Sequence, residues 1–144
     1  IAGGGRREAE LRRRAAGSNN VEFVGFLEED DKIDLYQGSW VGVFPSSKEG
    51  FLLTALEASA CGTPVVTYEH PGITTVVDGE TGLVVPGRDP ERLAGAVVSL
   101  LKDPQRRLEM GRLGRAHALR FSWTNMADII LRELAKGVRA GGSA

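Results

Sequence analysis

Two carboxylates, Glu49 and Glu57, stand with seven residues between them in a segment that runs from Phe44 to Val66. A strand-like end (Val43-Phe44), a glycine-bearing loop (Pro45 to Gly50) and the start of a helical pattern (Phe51 to Ala60) follow one another there. Free backbone N–H groups around Phe51 to Thr54 would then open onto a crevice, and the helix dipole would add positive potential. That arrangement suits a phosphate. Glu49 precedes the helix terminus and Glu57 lies about two turns into it, so each can accept hydrogen bonds from a pair of vicinal hydroxyls. A phosphate flanked by two polyols is the chemistry of a sugar nucleotide. Taken alone, acids at this spacing are better explained as two solvated side chains, and it is their context that sets this pair apart.

Such a site needs a scaffold, and the rest of the chain alternates in the way that builds one. Val21 to Gly25, Trp40 to Phe44, Pro64 to Tyr68 and Gly82 to Val85 read as short strands, the first and second followed by helical patterns at Glu28 to Gln37 and Phe51 to Ala60. Arg6 to Ala16 reads as a helix stopped by Gly17-Ser18-Asn19-Asn20. Asp89-Pro90 and Asp103-Pro104 each place proline at a first helical turn, and Ser122 to Lys136 carries Met126, Ile129, Ile130 and Leu134 at helical spacing. The expected fold is α/β, a Rossmann-like doubly wound parallel sheet with helices on both faces. Ligands in such sheets sit beyond the carboxyl ends of the strands. This points to the loops after Gly5, Gly25, Phe44 and Tyr68.

Composition narrows the function classes. The 144 residues suit one domain, expected over residues 1–138, with a flexible tail over 139–144. With 18 basic against 19 acidic side chains the chain has no electrostatic footprint for nucleic acid, and its five N-terminal arginines, interleaved with Glu8 and Glu10, read as a solvated face. No apolar run suggests a membrane span and membrane contact is not indicated. A single cysteine, Cys61, excludes an internal disulfide and a cysteine-rich metal site, which fits a reducing, cytoplasmic setting. No metal or cofactor is expected. The four acids Glu28 to Asp31 are explained by the dipole of the helix they open. Glycine, at 19 residues, is well above its usual share of about 7%, as tight βα turns and close backbone approach require.

From Pro45 to Val66 the sequence resembles the retaining, nucleotide-sugar-dependent glycosyltransferases of the two-Rossmann-domain (GT-B) architecture, the group 1 or glycogen synthase-like family. The resemblance is carried by Pro45-Ser46, by Glu49-Gly50-Phe51-Leu52-Leu53, by the Glu49 and Glu57 spacing, and by Glu57 to Val66. It extends through Val21 to Leu27, Val77 to Val85 and Phe121-Ser122-Trp123. It implies that Glu49, the candidate catalytic residue, contacts hydroxyls of the donor sugar in a positioning and electrostatic role. It further implies that the amides of Gly50, Phe51, Leu52, Leu53 and Thr54 hold sugar and pyrophosphate, that Glu57 binds the ribose diol, and that Gly25, Phe26 and Leu27 flank the base. The donor would be a UDP-, GDP- or ADP-sugar. Leu52 stands where the family usually has glycine, and Thr75 where many members carry glutamate.

The resemblance also implies an N-terminal domain for the acceptor, together with an Arg and a Lys for the diphosphate, both upstream of a chain that opens on the end of a strand, Ile1-Ala2. The chain is therefore expected to be the donor-binding half, inactive alone. Apolar residues of its last helix would be open to self-association. A non-catalytic sugar-nucleotide or partner-binding module is the alternative of a different class, and Gly3-Gly4-Gly5 after a strand leaves a dinucleotide oxidoreductase as a third, without the G-x-G-x-x-G spacing.

Overall fold

A computed structural model describes residues 1–46, 48–71 and 73–141, with side chains to Lys136. Ser47 and Gly72, expected in the loops after two of the strands, and residues 142–144 of the expected tail lie outside the described residues. The elements in chain order are α1 (Glu8–Ala15), α2 (Glu29–Gly38), β1 (Gly42–Phe44), α3 (Leu53–Ala60), β2 (Val65–Tyr68), β3 (Gly82–Val85), α4 (Pro90–Lys102), α5 (Pro104–Ala118) and α6 (Trp123–Gly141).

The three strands form one parallel sheet in the order β1-β2-β3, with Val43 opposite Val66 and Val66 opposite Leu83. Successive residues of the central strand point to opposite faces. Val65 accordingly joins a core with Leu52, Ala55, Ala58 and Val76, while Val66 and Tyr68 join another with Val85, Leu100 and Met110. Helix α3 covers the first face; α4, through Leu93, Ala96, Val97 and Leu100, covers the second. Every residue of β2 is buried, as a strand covered on both sides must be. The expected Rossmann-like layering, helices on both faces of a parallel sheet, is present.

Two expectations change. Val21 to Gly25 makes one parallel bridge, Gly25 with Ala2, instead of a strand. Among the described residues its hydrogen bonds run to Ile1 and Gly3, Val24 N–H donating to the Ile1 carbonyl at 3.0 Å and Gly3 N–H to the Gly25 carbonyl at 2.6 Å, and a ladder of that length does not propagate. Between β2 and β3 the crossover is a loop with no helix among the described residues, in keeping with the turn residues there; Asp78 closes its far end by accepting from Val84 N–H at 2.8 Å. Helix α6 runs to Gly141, past Arg139 where the flexible tail was expected to start. No proline or turn cluster intervenes before that point, so nothing local stops the helix.

Candidate functional site

Because all strands are parallel, β1 and β2 deliver their following loops to the same edge of the sheet. The loop after Phe44 carries Glu49 and leads directly into α3. Leu52 is the N-cap residue, and among the described residues no side chain caps the helix. The Leu53 N–H turns back to the Phe51 carbonyl at 2.9 Å and that of Leu56 donates to the Leu52 carbonyl at 3.2 Å. The amides of Thr54 and Ala55 are thus first-turn donors with no backbone acceptor among the described residues. Glu49, Gly50, Phe51, Leu53 and Thr54 are exposed around this terminus, and a Cβ added at Gly50 would meet nothing within 4 Å. The surface is open, electropositive in its backbone and able to receive an anion.

Leu52 behaves differently from its neighbours. Its φ of −81° is ordinary for a residue with a side chain, and that side chain is 2% exposed, packed in the core with Ala55, Ala58, Val65 and Val76. The leucine that replaces the customary glycine therefore points away from the open terminus. Only its backbone belongs to the site.

Glu57 lies on α3 beside α2, with its side chain 29% exposed. Its Oε2 is 3.1 Å from Lys32 Nζ, and Lys32 also reaches Glu29 Oε2 at 2.9 Å. The Lys32 ammonium is held more firmly protonated than an ordinary lysine, first by Glu29 and then by Glu57. Oε2 is buried and close to that ammonium without a well-directed hydrogen bond. The contact is an ion pair.

Lys32 was not among the residues the sequence singled out. Its only linear signal is that it is the sole cation in the acidic stretch Glu28 to Asp34, since its approach to Glu57 depends on α2 packing against α3.

Other expected site residues are placed apart or with different partners. Gly25 has φ +72°, a conformation natural to glycine, and Phe26 beside it is 82% exposed. No hydrogen bond or ion pair joins Gly25, Phe26 or Leu27 to the segment from Glu49 to Glu57 among the described residues. The Phe51 ring packs against Phe121, which follows α5. A hollow of about 400 Å³ opens beside the glycine turn, lined among others by Gly3, Gly5, Arg7, Leu11 and Phe23, and a smaller one of about 270 Å³ lies between His117, Phe121 and Met126. Neither includes Glu49 or Glu57. The acids Glu29, Asp30 and Asp31 occupy the first turn of α2, and no group of three or more His, Cys, Asp or Glu is gathered for a metal ion among the described residues. No described helix is long and apolar enough to cross a membrane.

Residues 1–103 match the family described as glycosyl transferases group 1. The chain belongs to that family. Among curated relatives, the group 1 chain is 47% identical over 112 residues to a D-inositol 3-phosphate glycosyltransferase of Acidothermus cellulolyticus, covering 77% of this chain and 25% of the relative. It is 39% identical over 137 residues to a GDP-mannose-dependent monoacylated alpha-(1-6)-phosphatidylinositol monomannoside mannosyltransferase of Corynebacterium glutamicum, covering 89% of this chain and 36% of that one. Among solved structures it is similar to sucrose-phosphate synthase from Thermosynechococcus elongatus, with 35% identity and a TM-score of 0.79 over 94% of this chain and 34% of that one. It is also similar to Anabaena HepE in complex with UDP and glucose, with 26% identity and a TM-score of 0.75 over 89% and 35% of the two chains. The group 1 chain thus spans about a quarter to a third of the length of the relatives it matches.

Proposed function

We propose that this chain is the donor-binding part of a retaining glycosyltransferase, holding a nucleoside-diphosphate sugar at the start of α3. The observation that carries the reading is the uncapped terminus between Glu49 and Glu57, at the carboxyl edge of a parallel sheet. Group 1 membership and the UDP and glucose held by HepE support it.

In this reading the exposed first-turn amide of Thr54, with the loop amides of Gly50 and Phe51, binds the diphosphate, where the positive end of α3 stabilises the charge that grows as the glycosidic bond breaks. Glu57 accepts from the ribose diol and Glu49 from hydroxyls of the donor sugar. Glu49 acts by position and charge; no covalent nucleophile is assigned. The Gly25 to Leu27 turn flanks the base. Transfer also needs the acceptor in attack geometry, and a second, N-terminal domain is the proposed source of that half of the cleft and of basic groups for the diphosphate. The chain alone then binds nucleotide weakly and transfers little. The exposed apolar face of α6, from Trp123 through Met126, Ile129 and Ile130 to Leu134, fits a surface that another domain or a second copy covers. The lone, half-buried Cys61 fits a cytoplasmic enzyme.

Calorimetric titration with UDP, GDP and ADP, on the wild-type chain and on Glu57→Ala, tests the reading. One nucleotide is expected to bind, and to bind about tenfold more weakly to the variant, as loss of a charged hydrogen bond costs about 1.5–3 kcal/mol. Binding of a nicotinamide dinucleotide in preference to all three would overturn it.

A further inference from the structure

The two oxygens of Glu57 are not equivalent, and Lys32 makes them so. Helix α2 is fixed against α3 by Tyr36, whose side chain packs on the core cluster containing Leu52 and whose carbonyl accepts from the Thr63 hydroxyl. Lys32, one helical turn before Tyr36, is thereby carried over Glu57, one turn before Cys61. Its Nζ takes Oε2, the buried oxygen, at 3.1 Å. No hydrogen bond to Oε1 is found among the described residues, and the Glu57 side chain as a whole is 29% exposed, which leaves Oε1 as the oxygen open to a ligand. A buried carboxylate oxygen without a cation is costly, and a carboxylate released from Lys32 would rotate to place both oxygens in water. Glu29, bound to the same ammonium at 2.9 Å, keeps Lys32 on this side of α2.

We propose that Lys32 is a positioning residue for nucleotide recognition: by anchoring Oε2 of Glu57 it aims Oε1 as the acceptor for a vicinal diol of the bound nucleotide. The proposal rests on the reading of Glu57 as the diol acceptor. It assigns Lys32 no contact with the reacting atoms. Its consequence is selective, because a residue that only aims a diol acceptor changes the affinity for ligands with the diol and leaves that for ligands without it unchanged.

The test is titration of wild type, Glu57→Gln, Lys32→Met and Lys32→Arg with UDP, GDP and ADP and with the 2′-deoxy counterpart of each. Wild type is expected to favour the ribonucleotide about tenfold over its 2′-deoxy form, the size of one hydrogen bond to a charged group. Glu57→Gln should lower that preference to about threefold or less. Lys32→Met should do the same while binding the 2′-deoxy nucleotide as wild type does, which also shows that the variant is folded. Lys32→Arg, which restores the cation, should recover the preference. A Lys32→Met protein that keeps the full preference overturns the proposal and leaves the Glu57 reading standing. One that loses both nucleotides equally assigns Lys32 a structural role and overturns it too. A wild type that binds none of these ligands, or makes no distinction between ribose and deoxyribose, or a Glu57→Gln variant that keeps the preference, removes the Glu57 reading itself and the proposal with it.

Discussion

The ring of Phe51, in the loop that carries Glu49, lies 5.8 Å from the ring of Phe121 with the planes tilted by 56°. Phe121 in turn meets His117 edge-on at 5.1 Å. The donor loop is therefore braced by the junction of α5 and α6, far along the chain. Aromatic pairs of this geometry contribute about 0.5–1.5 kcal/mol beyond area burial.

Phe121→Ala is expected to lower stability by about 2 kcal/mol, and Phe51→Ala by less because Phe51 is the more exposed ring. A double-mutant cycle followed by urea unfolding should return a coupling of about 1 kcal/mol between them. Additive effects would show that the rings touch without supporting each other.

Leu52→Gly restores the residue customary at this place in the family, yet it should harm this protein. The leucine side chain is buried in the core and its φ is negative, so glycine relieves no backbone strain and leaves a cavity. A loss of about 3 kcal/mol is expected in urea unfolding, with no gain in affinity for any nucleoside diphosphate. Tighter nucleotide binding without loss of stability would mean that the side chain does obstruct the site.

What was legible in the sequence was local. Asp89-Pro90 and Asp103-Pro104 mark helix starts because an aspartate before a first-turn proline can cap its own helix. Asp89 accepts from Glu91 N–H at 2.9 Å and Arg92 N–H at 3.3 Å, and Asp103 from Arg106 N–H at 2.9 Å. The placing of Glu49 before α3 and of Glu57 on it was legible for the same reason, their spacing being fixed by one loop and one helix. Val21 to Gly25 makes a bridge and not a strand here because a strand exists only with a partner, and among the described residues its backbone pairs with Ile1 to Gly3. Lys32 was missed because its place beside Glu57 is decided by the packing of two helices. The inward direction of Leu52 was not legible, since nothing linear tells which way an N-cap side chain points.

Cys61 reports on the same helix interface. Burial pushes its thiol above the ordinary cysteine value; Arg115 opposes the shift, while the charges of Glu57 and Glu29 add to it. A raised folded value means that the neutral thiol is favoured by folding. That contribution is complete below the unfolded value and is lost as pH rises through the folded one. Alkylation by iodoacetamide should therefore be slower at pH 8 than for a small-molecule thiol, with its pH midpoint above about 8.5. Urea stability should also decline above that pH. A midpoint at or below that of the free amino acid would contradict a desolvated thiol.

Two helical glycines should respond oppositely to alanine. At Gly111 on α5, a Cβ would collide with the Gly62 carbonyl oxygen and stand 3.2 Å from its carbon, in the turn between α3 and β2. Backbone cannot yield there without moving α5 away from the end of α3, the helix whose start forms the site. Gly111→Ala is expected to cost about 3 kcal/mol, the upper end for overpacking. Gly95 on α4 has nothing within 4 Å of the added carbon and lies mid-helix on an exposed face. There alanine removes only the conformational freedom of glycine in the unfolded chain and should add up to about 1 kcal/mol. Urea midpoints of the two variants, taken with unchanged slopes, give the comparison. If Gly111→Ala were as stable as wild type, the close seat of α5 against Gly62 would be wrong, and with it the rigid support assigned to α3.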